Sequence, residues 1–328
     1  MKPMRQYLAA LAVVWTGASI ATYVYSQQQN IPSSIALAVL PAFLLEAAFY
    51  LMPGFERVRV AFDRLASRPT RAAILAAFAV IPYLVESPRT GTFRIPEFFI
   101  LLGAAIVASF WYVWIRSSLP ADLTFLALMG AIYLSQIFDR VYGQPAPHVQ
   151  LAILGKLMWI RLGIMAVFSL RGMDASRFGF MPRPAEWRTG FVHFLYFLPV
   201  AGVLVYLLNF TRFRPSQLEW WKLGLLILGT FLLVLWVVAL AEEFFFRAFL
   251  QPLVARALRS EVGGLIAASV IFGLAHLAFR HQFPNWRFAT VAGVAGIFYG
   301  RAFLKAHSVR ASMVTHALVV TTWRVFFT

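Results

Sequence analysis

The chain has no cysteine, an absence that removes disulfides, thiol nucleophiles, Cys-ligated zinc and iron–sulfur clusters together. Charge is scarce as well. Only 13% of the 328 residues are Asp, Glu, Lys or Arg, about half of what a soluble domain carries. The sequence holds no internal repeat, no low-complexity run and no polar segment long enough to form a soluble domain. Several hydrolase and nucleotide-binding signatures are missing too: there is no His-Glu-x-x-His, no Gly-x-Ser-x-Gly elbow and no glycine loop of the phosphate-binding kind.

What remains is apolar. Hydrophobic residues make up 61% of the chain and mean hydropathy is +0.74, which places it among polytopic all-α membrane proteins. About 20 apolar residues cross a bilayer core. By that measure eleven runs predict spans: 7–26, 31–52, 72–86, 97–115, 121–138, 149–170, 190–208, 222–256, 262–280, 286–304 and 309–327. The third is short and ends near Pro82 and Glu86, so ten spans is an alternative. The first run follows Lys2 and Arg5 as a signal peptide would, but it is longer than a signal core and predicts a retained helix.

The net charge of +16 would suggest nucleic acid in a soluble protein. Here Lys and Arg fall in short gaps between apolar runs, so the charge reads as topology and no nucleic-acid partner is expected; the lipid bilayer is. The Arg-rich gaps at 57–71 and 171–188 fall on the side of the N-terminus, which is predicted to be cytoplasmic. The second gap, with Pro182 and Pro184, divides the chain into a multi-span region of unknown role, 1–185, and a C-terminal region, 186–328. Within the latter, Gly296 and Gly300 have the spacing of close helix packing.

The informative segment is Ala241-Glu242-Glu243-Phe244-Phe245-Phe246-Arg247, inside an apolar stretch. Each ionised side chain at mid-bilayer costs about 2.5–3.5 kcal/mol, so this cluster must face protein or water. Glu243 and Arg247 are spaced i, i+4 and can pair, either bracing a site or simply locking two helices. Glu242 lies about 100° round the helix, without a local partner, and is the better candidate base. Two of six histidines, His276 and His316, fall well inside predicted spans, while His148, His281 and His307 fall at span ends or in loops and His193 reads as a packing residue. Glu242 and His276 are each 17 residues from Arg259, at the turn between the eighth and ninth spans, so an antiparallel hairpin brings them level. A carboxylate level with a neutral imidazole can polarise water. Glu242, His276 and His316 would also serve as a two-His-one-carboxylate site for zinc or iron.

These residues resemble the CAAX-protease and bacteriocin-processing family of intramembrane proteases, whose motifs are Glu-Glu-x-x-x-Arg, Phe-x-x-x-His and His-x-x-x-Asn/Asp on successive helices. Glu242, Glu243 and Arg247 match the first, Phe272 and His276 the second, and His316 the third, whose last position is Val320. The resemblance covers roughly residues 225–325. It implies an endopeptidase without a cofactor, acting on a membrane-associated protein or a C-terminal anchor peptide in a bacterial cytoplasmic membrane. Glu242 would activate water with His276, Glu243 and Arg247 would brace the site, and His316 would stand over the scissile carbonyl. Val320 cannot donate to an oxyanion, leaving His316 alone, Ser312 or Trp323 for that task. A non-enzymatic transporter or immunity-type protein with a Glu/His/Arg relay is the competing expectation.

Overall fold

A computed structural model of the chain describes residues 2–278 and 282–327; the expectation for His281 lies outside the described residues. Thirteen helices follow one another in these segments: α1 (Lys2–Gln28), α2 (Ser33–Leu51), α3 (Glu56–Leu65), α4 (Arg68–Thr90), α5 (Ile95–Trp114), α6 (Leu119–Leu134), α7 (Ile137–Val141), α8 (Ala152–Leu170), α9 (Pro184–Leu208), α10 (Trp220–Leu258), α11 (Glu261–Ala275), α12 (Trp286–Ala306) and α13 (Val309–Phe326). No strand forms among the described residues. The all-α expectation therefore holds, and for a physical reason: in hydrocarbon the backbone must satisfy its own hydrogen bonds.

Each of the eleven apolar runs forms a helix, with adjustments. The short third run lies within α4, whose 23 residues carry Pro82 and Glu86 inside rather than past its end. The fifth run is interrupted: α6 stops at Leu134 and Gln136 takes a left-handed conformation before α7 begins. By length and apolarity seven helices suffice to cross a membrane, namely α1, α2 with its terminal turn, α4, α5, α8, α9 and α10. At 16 and 15 residues, α6 and α11 are shorter than a full crossing. The protein is a multi-pass integral membrane protein.

The chain divides into two compact units, 1–175 and 176–328, with the division inside the Arg-rich connector. In the first unit α8 is the most buried helix. It carries Arg161, whose guanidinium forks onto Glu46 of α2 at 2.6 and 3.1 Å and donates to the Phe78 carbonyl at 2.7 Å. Asp122 accepts from Arg171 at 2.6 and 2.7 Å and from the Tyr112 hydroxyl at 2.9 Å. In both of these sets a buried charge meets an opposite one, as burial favours.

In the second unit α9–α13 run alternately up and down. Leu207, Leu225, Leu228, Ile266 and Val270 are exposed, as side chains that meet lipid are, while small residues let backbones approach. A Cβ on Gly190 of α9 would stand 2.6 Å from Val314 Cβ and 2.7 Å from the Ala311 carbonyl of α13, and one on Gly273 of α11 would stand 2.6 Å from the Ala289 carbonyl of α12. Because backbone cannot yield as a flexible side chain can, Gly190→Ala should cost about 1–3 kcal/mol by overpacking. Gly224→Ala, with no atom within 4 Å of the added carbon, should be neutral or stabilising by up to about 1 kcal/mol. Thermal unfolding of the solubilised protein checks the pair; equal melting points for Gly190→Ala and wild type would contradict the tight α9–α13 approach.

Candidate active site

The long helix α10 is not uniformly α-helical. Residues Val234–Ala239 and Phe244–Leu250 are π-helical, and between them lies the single α-turn Leu240–Glu243. Such wide turns cluster at functional sites. Here they bracket the two adjacent carboxylates, which the helix sends in different directions.

Glu243 points into the protein and is fully buried. Its Oε2 accepts from Arg247 Nε at 3.2 Å, so the i, i+4 pair forms. Its Oε1 accepts from His316 Nδ1 of α13 at 2.7 Å, a contact that spacing along α10 could not reveal. Arg247 is also fully buried, its guanidinium carbon 5.0 Å from the centre of the Phe272 ring. Gly296 of α12 makes room for it: a Cβ there would stand 3.0 Å from Arg247 Nη2. The small-residue spacing on α12 thus serves packing, around a charge as well as against the α11 backbone, whose Ser269 Cα would stand 3.4 Å from the same Cβ.

Glu242 points the other way and keeps 31% of its side chain exposed. Its Oε2 lies 3.9 Å from His276 Nε2 and 3.8 Å from His316 Nε2. Both imidazoles are oriented from behind. His276 Nδ1 lies 2.7 Å from the Phe272 carbonyl and His316 Nδ1 faces the Glu243 carboxylate. A carbonyl and a carboxylate can only accept, so both rings carry hydrogen on Nδ1 and turn Nε2 towards Glu242. Spacings of 3.8–3.9 Å exceed a direct hydrogen bond and suit a bridging water.

His276 is not well inside a span. It is the C-cap of α11, with φ −93° and ψ 3°, and beyond it Asn285 N donates to the Leu277 carbonyl at 2.7 Å. His316, by contrast, is inside α13 and almost wholly buried. Exposure falls in order from Glu242 at 31% through His276 at 17% and His316 at 4% to Glu243 and Arg247 at 0%. His193 Nδ1 contacts the Thr189 carbonyl of its own helix, in keeping with packing.

Aromatic rings complete the walls. Phe272 lies edge-on to Phe246, Tyr299 and His316 and 4.6 Å from the His276 ring centre. Tyr299 of α12 stacks on His316 with centroids 4.5 Å apart and planes 12° from parallel. Composition and motif did not single out Tyr299; its position between Gly296 and Gly300 was the available signal. Of the two substitutes considered for Val320, the Ser312 hydroxyl donates to the Val309 carbonyl at 2.9 Å and Trp323 packs between Phe210 and Phe288. His316 is left as the third-motif group that faces Glu242. Among the described residues no group of three or more His, Asp or Glu is arranged to hold a metal ion.

Residues 224–322 match the family model described as Type II CAAX prenyl endopeptidase Rce1-like, the CAAX-protease family that the motifs resemble. The matched stretch contains Glu242, Glu243, Arg247, His276 and His316. It covers under a third of the chain. No curated protein and no solved structure gives a match. The family supports an intramembrane endopeptidase of the CAAX type, acting on membrane-associated protein substrates.

The opposed settings of the two carboxylates predict opposite phenotypes. Glu243→Gln leaves Arg247 buried without its counter-charge and should destabilise the protein by about 3–5 kcal/mol. Glu242→Gln, at a partly exposed position without an ion pair to Arg247, should unfold within about 0.5 kcal/mol of wild type. Denaturation of the two purified variants decides this, and equal losses would mean that both carboxylates are structural.

Proposed function

We propose that residues 176–328 form a glutamate-dependent intramembrane endopeptidase that cleaves a membrane-associated protein at or near its C-terminal anchor. The observation that carries this reading is the convergence of Glu242 Oε2 with the Nε2 atoms of His276 and His316 at 3.8–3.9 Å, at the partly exposed end of a cluster whose other end is buried. A water held between Glu242 and His276 loses a proton to the carboxylate as its oxygen attacks the scissile carbonyl carbon. The proton then passes to the amide nitrogen, which leaves as an amine. His316, protonated on both nitrogens, donates Nδ1–H to Glu243 and Nε2–H to the tetrahedral oxyanion, the task for which Val320 has no donor. The set is close to charge balance at that stage: Glu242 protonated, Glu243 negative, Arg247 and His316 positive, the oxyanion negative.

Glu242→Gln keeps shape and removes the base, so it should lower peptide cleavage by at least about 10³-fold, the upper part of the range for general-base catalysis. Full activity of that variant on a membrane-anchored peptide library would sink the mechanism, and loss of solute flux without any peptidase activity would favour the relay reading. The proposed chemistry uses no metal. Chelators should leave activity intact; stoichiometric zinc, lost together with activity in His276→Ala, would replace the water mechanism with a zinc one.

Access follows from the burial gradient. Glu242 and His276 are the exposed members, and His276 borders the segment that carries the exposed Phe283 and Trp286. His316 is eight residues from Ser308, about 12 Å along α13, so the cluster lies near mid-bilayer rather than far past it. The face opposite His276 carries Arg177, Arg256, Arg259, Lys305 and Arg310. With that face cytoplasmic, as its excess of basic residues favours, the site opens outward and suits processing after export. Gln282→Cys should then react with an impermeant thiol reagent in intact cells, and Lys305→Cys only after permeabilisation. The reverse pattern would invert the sidedness.

A further inference from the structure

The second unit contains a cavity of about 280 Å³ that has no part in the Glu/His cluster. It lies where α10 ends and α11 begins, and its lining joins three arginines, Arg177, Arg256 and Arg259, to Ser260 and Gln251. Among the described residues none of the three arginines forms an ion pair. Glu261 is the one acidic group at its rim, and Pro252, Ala255, Phe303 and Leu304 form an apolar wall.

Gln251 is the unexpected member. It is 1% exposed, and neither its Oε1 nor its Nε2 has a hydrogen-bond partner among the described residues. A buried primary amide with all its donors and acceptors unused is costly and marks a place where a ligand supplies the missing partners. Backbone makes room for it: a Cβ on Gly300 of α12 would stand 2.7 Å from Gln251 Oε1 and would also collide with Leu265. The amide is therefore accommodated by design of the helix contact rather than squeezed out of an apolar core.

The position of the cavity narrows the ligand. Arg256, Arg259, Ser260 and Glu261 are exposed, and a helix-connecting turn belongs at the headgroup level, where its free backbone groups meet water. Three cations over a polar floor select an anion with several acceptor oxygens, and guanidinium forks match phosphate in particular. The apolar wall suits the glycerol and first methylenes of a lipid. We propose that this cavity binds a phosphate group, that of an anionic glycerophospholipid, with the arginines on its oxygens and Gln251 Nε2 donating from below.

Native mass spectrometry of the full-length protein in a zwitterionic detergent, titrated with phosphatidylglycerol in one arm and with inorganic phosphate in the other, tests this. Wild type should retain one phosphatidylglycerol, and both Gln251→Leu and Arg256→Gln should weaken retention about tenfold, as the loss of one charge-assisted hydrogen bond implies. Arg301→Gln removes the same charge from an exposed position outside the cavity and should retain lipid like wild type. Retention of inorganic phosphate with the same variant pattern would support the phosphate site and identify a soluble source. Failure of wild type to retain either probe would overturn the proposal. So would equal weakening by Arg301→Gln and Arg256→Gln, because the binding would then be diffuse charge attraction. Arg256→Gln changes an exposed helical side chain and keeps the measurement interpretable if Gln251→Leu fails to fold.

Discussion

The second unit depends on one buried carboxylate. Glu243 accepts from Arg247 on its own helix and from His316 on α13, so a single charge ties the longest helix to the last one and sets the tautomer of a histidine at the same time. Everything near it adjusts. Phe272 offers its ring to the Arg247 guanidinium, Gly296 gives up a side chain to admit it, and Tyr299 stacks on the imidazole that Glu243 holds. An ion pair of this kind adds little net stability compared with a well-packed apolar core, but breaking it is expensive. Its value is in fixing geometry. The carboxylate that cannot react is what orients the imidazole beside the one that can.

Glu242 and Glu243 share a backbone, a residue type and a depth, yet their surroundings differ completely. About 100° of helical rotation carries one into a dry ionic network and leaves the other at a partly exposed edge between two imidazoles. Adjacent carboxylates on one helix would be mutually repulsive if both faced the same cavity. Here the positive Arg247 lies on the Glu243 side, while Glu242 has only histidines, whose charge follows the proton inventory of the site. The π-helical segments on either side of Leu240–Glu243 isolate this turn, so that its two side chains are placed by one local geometry rather than by the average of a 39-residue helix.

Much of this was legible in the sequence because it depends on short-range spacing. The pairing of Glu243 with Arg247 follows from i, i+4, and the approach of Glu242 to His276 follows from equal distances to the turn at Arg259. Apolar run length located eleven helices, and the π segments left that count unaffected. What escaped depends on contacts between distant parts of the chain. Nothing in a local pattern says that His316 Nδ1 will find Glu243 73 residues earlier, that Tyr299 will lie flat on that ring, or that Arg161 will fork onto Glu46 115 residues away. Helix ends were hidden as well. The run 262–280 carries no charged residue before His276, yet α11 stops at Ala275, and the run 121–138 breaks at Gln136 with no proline or glycine at that point to signal it.

The first unit shows why buried charge alone does not make a reactive site. Glu46 and Arg161 are buried to the same degree as Glu243 and Arg247, and their pairing is better, with two short hydrogen bonds and a third to a backbone carbonyl. Arg161 also lies over an aromatic ring, Phe49, at 4.9 Å, as Arg247 lies over Phe272. The two devices are physically alike, and both satisfy the demand that hydrocarbon makes on charge. The difference is what stands beside them. Glu46 turns both of its oxygens to the Arg161 fork, so the pair is closed on itself. Glu243 divides its oxygens between a cation and an imidazole, and that imidazole in turn faces a second, solvent-accessible carboxylate. Chemistry becomes available where a satisfied charge passes its orientation on to an unsatisfied one, and in the described residues of the second unit that chain runs from Arg247 through Glu243 and His316 to Glu242.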